Sequence, residues 1–409
     1  MTQKYTNWSG SISFTPAETE QPASEKAVQR LVRTVRRRGG RLRPVGSGHS
    51  STPILNTEDT LVSLERMTGV VSADSARGRA RVMPGSGLRD LGEQLCPQEL
   101  SMENLGDVDY QSIAGAVSTG THGSGVRLGN LSSTMIGGRL VTGEGEALPF
   151  GVEAGDDDFL AEDLLRAVQV SLGSLGILSS LTLRLEPAHQ LHRMNWMTHI
   201  DWVLDHFEEL IEQNRSVDFY WYPRSDLAQV RTLNKPGEEP EMVPPGELRT
   251  DVTGPNYEVI PNDRHLKFEE MEYMLPLDTS LEAFRAVRSR VRERHRAQVG
   301  WRVLVRTIAP DQAMLSPAES RLRKGRPTMT IALLQNHTLP HEEYFGDLES
   351  LFRSYAGRPH WGKKHTLKAP QLRDLYPDWD AFQAVRQETD PDGIFMNEYL
   401  NQLFGETGE

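Results

Sequence analysis

One cysteine, Cys96, in 409 residues excludes an internal disulfide framework. No stretch approaches the ~20 consecutive apolar residues of a membrane span. The N-terminal segment, with Glu18, Glu20 and Glu25, lacks the apolar centre of a secretory signal, so a cytoplasmic protein is expected. Positive charge is also scarce: 45 Lys and Arg against 57 Asp and Glu leave a net charge of -12, which disfavours nucleic acid and anionic membranes as partners. The cluster Arg36-Arg37-Arg38 closes a predicted helix and reads as a solvated end that complements the helix dipole. No internal repeat is visible, and no metal is expected, because His360 and His365 have no third ligand at a recognisable spacing. Two nucleotide fingerprints fail as well. Ser51 stands where G-x-G-x-x-G needs its last glycine, and Thr52-Pro53 follows where a helix should open. The run Gly357 to Lys363 approaches a phosphate-binding P-loop, but Lys364 replaces the metal-binding hydroxyl and too little chain follows for a nucleotide domain.

Glycine, in contrast, is concentrated in two places. Ser24 can cap a helix with Ala27, Val28, Leu31, Val32 and Val35 on one face, Gly39-Gly40 ends it, and Arg41 to Val45 reads as a strand. That strand empties into Gly46-Ser47-Gly48-His49-Ser50, where missing side chains let backbone amides approach an anionic or planar ligand. His49 would stand at the edge of such a ligand; on these residues alone, an ordinary turn with an incidental histidine stays open. The second concentration is Ser112-Ile-Ala-Gly115-Ala-Val-Ser118-Thr119-Gly120-Thr121-His122-Gly123-Ser124-Gly125. It offers many donors and almost no bulk, as a wall against a pyrophosphate requires. A flexible linker is the alternative, though Ile113, Val117 and Val126 suit one poorly.

The length allows two domains, each with its own core. Up to about residue 187, short β-rich runs (Leu61 to Leu64, Ala80 to Met83) alternate with helices such as Leu88 to Leu95. Beyond Pro187, aromatic and Met content rises, as in Met194 to Met197 and Phe219 to Tyr222, which suggests a second sheet. Lys235 to Gly246 is a proline-rich, charged loop, and Ser280 to Ala297 should be a long helix with Leu281, Phe284, Val287 and Val291 buried.

Several stretches together resemble the vanillyl-alcohol oxidase type of FAD-linked oxidoreductases, in the branch of sugar-lactone and alditol oxidases. They are Asn7-Trp8-Ser9-Gly10, Gly46 to Ser50, Ser112 to Gly125, Ser171-Leu-Gly173-Ser-Leu-Gly176-Ile177-Leu178, Phe219 to Pro223, Glu270-Met-Glu272-Tyr273, Arg306-Thr307, His360-Trp-Gly-Lys363 and Asp390 to Phe395. The resemblance spans essentially the whole chain and implies an α+β fold. A two-subdomain PCMH-type FAD-binding domain (1-187) would precede a substrate or cap domain with an antiparallel sheet and flanking helices (188-365). A C-terminal segment (366-409) would pack back near the FAD domain.

The resemblance also implies roles. His49 matches the histidine that bonds covalently to the flavin, making it more oxidising. The FAD would lie against Gly46, Ser47, Gly48 and Ser50 on one side and Ser112, Gly115, Ser118, Thr119, Gly120, Thr121, His122 and Gly123 on the other, with Gly176, Ile177, His360 and Lys363 also contributing. Lys363 would place a cation near the flavin N1 and C2 carbonyl, stabilising charge on the reduced ring. Ser112 and Arg306 match substrate-contacting positions.

Two positions depart from the pattern. Relatives carry a glutamate two residues before Arg306, where this chain has Leu304, and a histidine where it has Leu334. Losing a carboxylate beside an arginine removes an acceptor for substrate hydroxyls, each such charged hydrogen bond being worth roughly 1.5-3 kcal/mol. A polyol would then bind poorly, and a less hydroxylated or anionic substrate paired with Arg306 becomes an alternative. The base is left open between His337, with Asn336 orienting, Lys363 and water. The expected activity is hydride removal from a carbon bearing a hydroxyl, with oxygen or another acceptor taking the electrons. A tailoring oxidase of a specialised metabolite is the second reading, and a non-catalytic flavin-binding protein the third.

Overall fold

The computed structural model describes residues 4-152, 159-262, 266-321 and 325-405. The first helix, α1 (Glu25–Arg37), forms where the apolar stripe requires it: Val28, Val32 and Val35 are buried, and Ser24 caps it by accepting from the Ala27 amide at 3.3 Å. It leads into β1 (Leu42–Val45), which lies in a parallel three-stranded sheet with Glu18–Glu20 and Thr60–Ser63 in the centre. Beside it is an antiparallel six-stranded sheet in the order Phe159–Leu160, Ala147–Val152, Met135–Val141, Ile177–Arg184, Arg79–Val82, Val70–Asp74. The second glycine-rich segment is not uniformly extended, because its first half winds into α2 (Ile113–Ser118).

The larger sheet is antiparallel throughout, in the order Glu247–Pro255, Gln190–His199, Leu227–Asn234, β2 (Ser216–Tyr222), then the strands Val303–Ile308, Thr328–Asn336, Phe268–Pro276 and Arg358–Pro359. In chain order Phe268–Pro276 is β3, Val303–Ile308 is β4 and Thr328–Asn336 is β5. The long helix runs over Leu277–Arg290 and continues as a wider turn over Val291–His295, burying Phe284, Val287 and Val291 against the sheet; Leu281 is only half-buried.

The two halves are joined along the glycine-rich strip. Gly125 donates to the Thr307 carbonyl at 2.8 Å, the Thr307 amide donates to Ser124 Oγ at 3.1 Å, and Ser124 Oγ donates to the Val217 carbonyl. The last described segment returns to the first sheet: the Leu42 amide donates to the Ile394 carbonyl at 2.8 Å, and Asn397 Nδ2 donates to the Pro53 carbonyl at 3.0 Å.

Arg43 ties three of these segments together. Its buried guanidinium donates to the carbonyls of Ile54 (2.9 Å), Gly173 (2.9 Å), Leu172 (2.8 Å) and Phe395. Replacing it with Met keeps the bulk but strands four carbonyls, each buried unsatisfied acceptor costing roughly 1-3 kcal/mol. Arg43→Met should therefore lose on the order of 3 kcal/mol or more of unfolding free energy in denaturant titration, against little change if the arginine only fills space.

Candidate active site

Two cavities meet at His49. The larger, about 370 Å³, is lined by Gly46, Ser47, Gly48, His49 and Ser50, by Ser112, Gly115, Ser118 and Thr119, and by Gly176 and Ile177. Its wall is bare backbone for a steric reason. A Cβ on Gly46 would stand 2.0 Å from Ser112 Oγ, and Gly48, at φ +66°, would press a Cβ to 2.1 Å from the Tyr5 hydroxyl. The volume, the exposed peptide edges and the hydroxyls of Ser47, Ser118, Thr119 and Ser171 suit a dinucleotide cofactor.

The smaller cavity, about 60 Å³, shares His49, Ser50, Gln111 and Thr119 with the first. It adds Asp107, Thr121, His122, Phe268, Glu270, Glu272, Leu304, Arg306, His360 and Lys363. The sheet supplies its floor. β4, β5 and β3 align Leu304 with Ala332 and Ala332 with Glu272, and Arg306 with Thr330. Side chains two apart share a face, and the small Ala332 and Thr330 let Arg306 reach across to Glu272. The Arg306–Glu272 separation is 2.6 Å, with the two side chains 8 % and 0 % exposed.

This arrangement corrects the inference drawn from Leu304. Arg306 keeps a carboxylate partner, supplied by β3 rather than by its own strand, and Glu270 on the same face pairs with Lys363. Leu304 and Leu334 instead join Tyr220, Phe268 and Ala332 in an apolar cluster, with Trp8 packed against it. The sequence carries a signal for these acids: in Phe268-Glu-Glu270-Met-Glu272-Tyr273, Glu270 and Glu272 fall two apart and so on one face of a strand whose other residues, Glu269 excepted, are apolar or aromatic.

The remaining expected residues divide. Thr121, His122, His360 and Lys363 line the smaller cavity, and Ser112 lines only the larger one. Gly120 and Gly123 line neither; a Cβ on Gly123 would lie 2.3 Å from Asn104 Oδ1, so that glycine serves a chain crossing. His337 and Asn336 also line neither, which corrects their expected part in proton transfer and substrate binding. β5 ends at Asn336, whose carboxamide oxygen accepts from the Thr338 amide at 3.1 Å, and His337 sits on an exposed turn with Nδ1 3.2 Å from the Lys267 carbonyl.

Protonation states follow from the contacts. His122 Nδ1 lies 2.9 Å from the Gly123 carbonyl and so carries the proton, leaving Nε2 to accept from Arg306 Nη2 at 3.4 Å. Gly362 donates its amide to His360 Nδ1 at 3.1 Å, which puts that ring's proton on Nε2. Burial and the Arg306 charge hold His122 below the usual imidazole range, against the pull of Glu272; burial holds His360 well below it. Burial alone would raise Glu272, but Arg306 and His122 outweigh it and keep the carboxyl well below its usual range. His122, Glu272 and His360 bring ligand atoms within 4.8 Å of one another, yet the Arg306 guanidinium already supplies the positive charge there.

The loops around the site are interlocked. Ser51 donates to the Gly362 carbonyl at 2.8 Å, Trp8 to the Gly48 carbonyl at 2.8 Å, and His360 to the Glu272 carbonyl at 2.9 Å. Trp8 lies 4.6 Å and Tyr110 5.5 Å from the His49 ring, centroid to centroid.

Glu272 contributes stability that is present above its ordinary value of 4.5 and is lost as pH falls through its lower folded value. Arg306→Met reverses the sign, since burial then raises the carboxyl and its neutral form is preferred. The variant should be about 3-5 kcal/mol less stable than wild type at pH 8, with the gap narrowing toward pH 5 in denaturant titrations; a gap independent of pH would deny the ion pair.

Comparisons with known proteins agree with this geometry. The FAD binding domain family matches residues 16-151, and the D-arabinono-1,4-lactone oxidase family matches residues 181-250 and 242-403. L-gulono-1,4-lactone dehydrogenase of Mycobacterium tuberculosis is 35% identical over 442 aligned positions, covering 99% of this chain and 100% of the relative. Alditol oxidase of a Streptomyces species is 29% identical over 98% of this chain and 99% of its own length. Among solved structures, cholesterol oxidase from B. sterolicum superposes with a TM-score of 0.84 at 17% identity, over 99% of this chain and 97% of that one, which establishes the shared fold. With a carboxylate-bound arginine beside a glycine-walled cofactor cleft and matches of this extent, the chain belongs to the D-arabinono-1,4-lactone oxidase family of FAD-linked oxidoreductases.

Proposed function

We propose that this chain is an FAD-dependent oxidoreductase that oxidises a hydroxyl-bearing carbon of an aldonolactone or alditol, with the flavin attached covalently through His49 and electrons passed on to dioxygen or another acceptor. The observation that carries the reading is continuity: His49, Ser50, Gln111 and Thr119 line both the cofactor-sized cleft and the charged cavity. The names of the relatives, a gulonolactone dehydrogenase and an alditol oxidase, favour the same substrate class.

FAD, when bound, supplies the two-electron acceptor for hydride. Gly46 to Ser50, Ser112 to Thr119, Gly176 and Ile177 would hold it through backbone and hydroxyl groups, with His49 as the point of attachment. Lys363 holds a positive charge at the rim of the charged cavity, paired with Glu270. Arg306 donates to substrate oxygen and Glu270 and Glu272 accept from substrate hydroxyls. Phe268 and Leu304, on the same sheet face, add carbon surface to the cavity and keep water from the reacting centre. The two carboxylates restore the hydroxyl acceptors that Leu304 removes from β4, so a hydroxylated substrate is favoured over a less hydroxylated one.

Acid precipitation of the purified protein tests the cofactor assignment. Yellow colour should stay in the pellet of the wild type and be washed out of His49→Ala, whose residual protein should still bind added FAD. Colour lost from the wild-type pellet would remove the covalent link, and a protein that takes up no FAD would overturn the reading.

A further inference from the structure

We propose that Glu272 and His122 form the proton acceptor of this reaction, Glu272 Oε2 taking the hydrogen bond of the substrate hydroxyl and His122 Nε2 backing the carboxyl group from its other oxygen, Oε1. This rests on the alcohol oxidation proposed above and names its base, which the exposed His337 cannot supply.

Several charged groups around the cavity are committed. Lys363 is engaged by Glu270, and Asp107 accepts from Arg231 at 2.7 Å and from the Tyr220 hydroxyl at 2.6 Å. His360 presents an N–H, because its Nδ1 lone pair is used by Gly362. Arg306 is a donor only. Glu272 leaves one buried acceptor unmet: Oε1 takes Arg306 at 2.6 Å, while Oε2 is buried without a hydrogen-bond partner among the described residues. The charged and titratable groups facing it are Arg306 from β4, Glu270 from β3 itself, His122 from the glycine-rich strip, and His360 and Lys363 from the loop above.

His122 completes the path. Its Nε2, unprotonated in the tautomer set by Gly123, lies 3.3 Å from Glu272 Oε1, the oxygen that also takes Arg306, so a proton taken up by the carboxyl group can be shared with the imidazole across that contact. A carboxylate held as strongly ionised as Glu272 does not deprotonate a resting alcohol. It accepts the proton while the C–H bond breaks and the oxygen becomes a carbonyl. The balance is complete: the C–H and O–H bonds break and a C=O bond forms. Hydride with its electron pair goes to oxidised FAD, which is reduced by two electrons, and the proton goes to the Glu272–His122 pair and then to solvent.

The test is anaerobic bleaching of the flavin by L-gulono-1,4-lactone and by xylitol in wild type, Glu272→Gln, Glu272→Asp and His122→Gln holoenzymes. It is paired with 15N spectra of histidine-labelled wild type without substrate. Gln keeps the shape and the oxygen that meets Arg306, so a merely structural role would raise the half-saturating concentration and leave the limiting rate. The proposal expects the Glu272→Gln limiting rate to fall on the order of 100-fold or more, its acid-side pH dependence to disappear, and Glu272→Asp to recover part of the rate. His122→Gln should slow bleaching less than Glu272→Gln, and the spectra should show His122 neutral with its proton on Nδ1. A Glu272→Gln limiting rate within threefold of wild type, or a His122 proton on Nε2, overturns the assignment while leaving the oxidation intact. Wild-type flavin that neither compound nor any other lactone or alditol bleaches overturns the functional reading, and this one with it.

Discussion

The structure is organised around the cost of burying Arg306 and Glu272. Two opposite charges taken out of water are tolerable only when paired in good geometry, and here the partners come from β4 and β3 with β5 between them. A one-residue slip in either pairing would turn one of the two side chains to the other face and leave the other charge alone. The pair therefore demands a register, and it demands small residues on β5, where Ala332 and Thr330 stand.

The register propagates outward. The backbone carbonyls of Glu272 and Glu270 accept from the His360 and Lys364 amides at 2.9 Å each, so the strand that carries the acids also lays down the loop that carries Lys363. That loop in turn receives the Ser51 amide at Gly362 and the Thr52 hydroxyl at Trp361, which fixes the segment next to His49. Trp361 is anchored beneath by its indole N–H to the Leu315 carbonyl at 2.6 Å and by stacking on Tyr376 at 5.1 Å. A charge pair on the sheet and an imidazole on a loop about 250 residues away in the chain are thus held by one continuous set of hydrogen bonds.

The local elements of this framework were legible in the sequence, because their causes are local. The Val28, Val32, Val35 stripe and the Ser24 cap define α1, and the helix Leu88–Leu95 has the bounds expected of it. The glycine wall was legible too, since glycine, serine and threonine in that density have few uses in a folded chain. The pairing of Glu272 and Glu270 with Arg306 and Lys363 was not. Reading along β4, Leu304 looks like a lost carboxylate, and only the order β4-β5-β3 shows that the acid arrives from a segment earlier in the chain. His337 misleads for the opposite reason: it follows the strand in sequence, but the strand stops at Asn336 and the next side chain turns to solvent. Cross-strand partnership depends on the pairing order, which periodicity along one strand does not encode.

The same pairing order decides the charge that the cavity presents. A reading from β4 alone leaves Arg306 with no acid beside it and invites an anionic substrate. With β3 in place, the cavity brings together two acidic and two basic side chains, Glu272 against Arg306 and Glu270 against Lys363, while His122 and His360 are neutral and Asp107 is satisfied by Arg231. An anion entering here would have to take a cation from a buried carboxylate and leave that carboxylate unpaired, a loss of the kind that costs about 3-5 kcal/mol. A neutral polyhydroxy ring incurs no such penalty. Its hydroxyls meet the acids and the arginine, and its carbon framework meets Phe268 and Leu304 beside them on the same sheet face. Substituting leucine for an acid on β4, with acids already facing the cavity from β3, therefore leaves the cavity an apolar patch beside its paired charges at balanced charge, which a carboxylate at position 304 would upset.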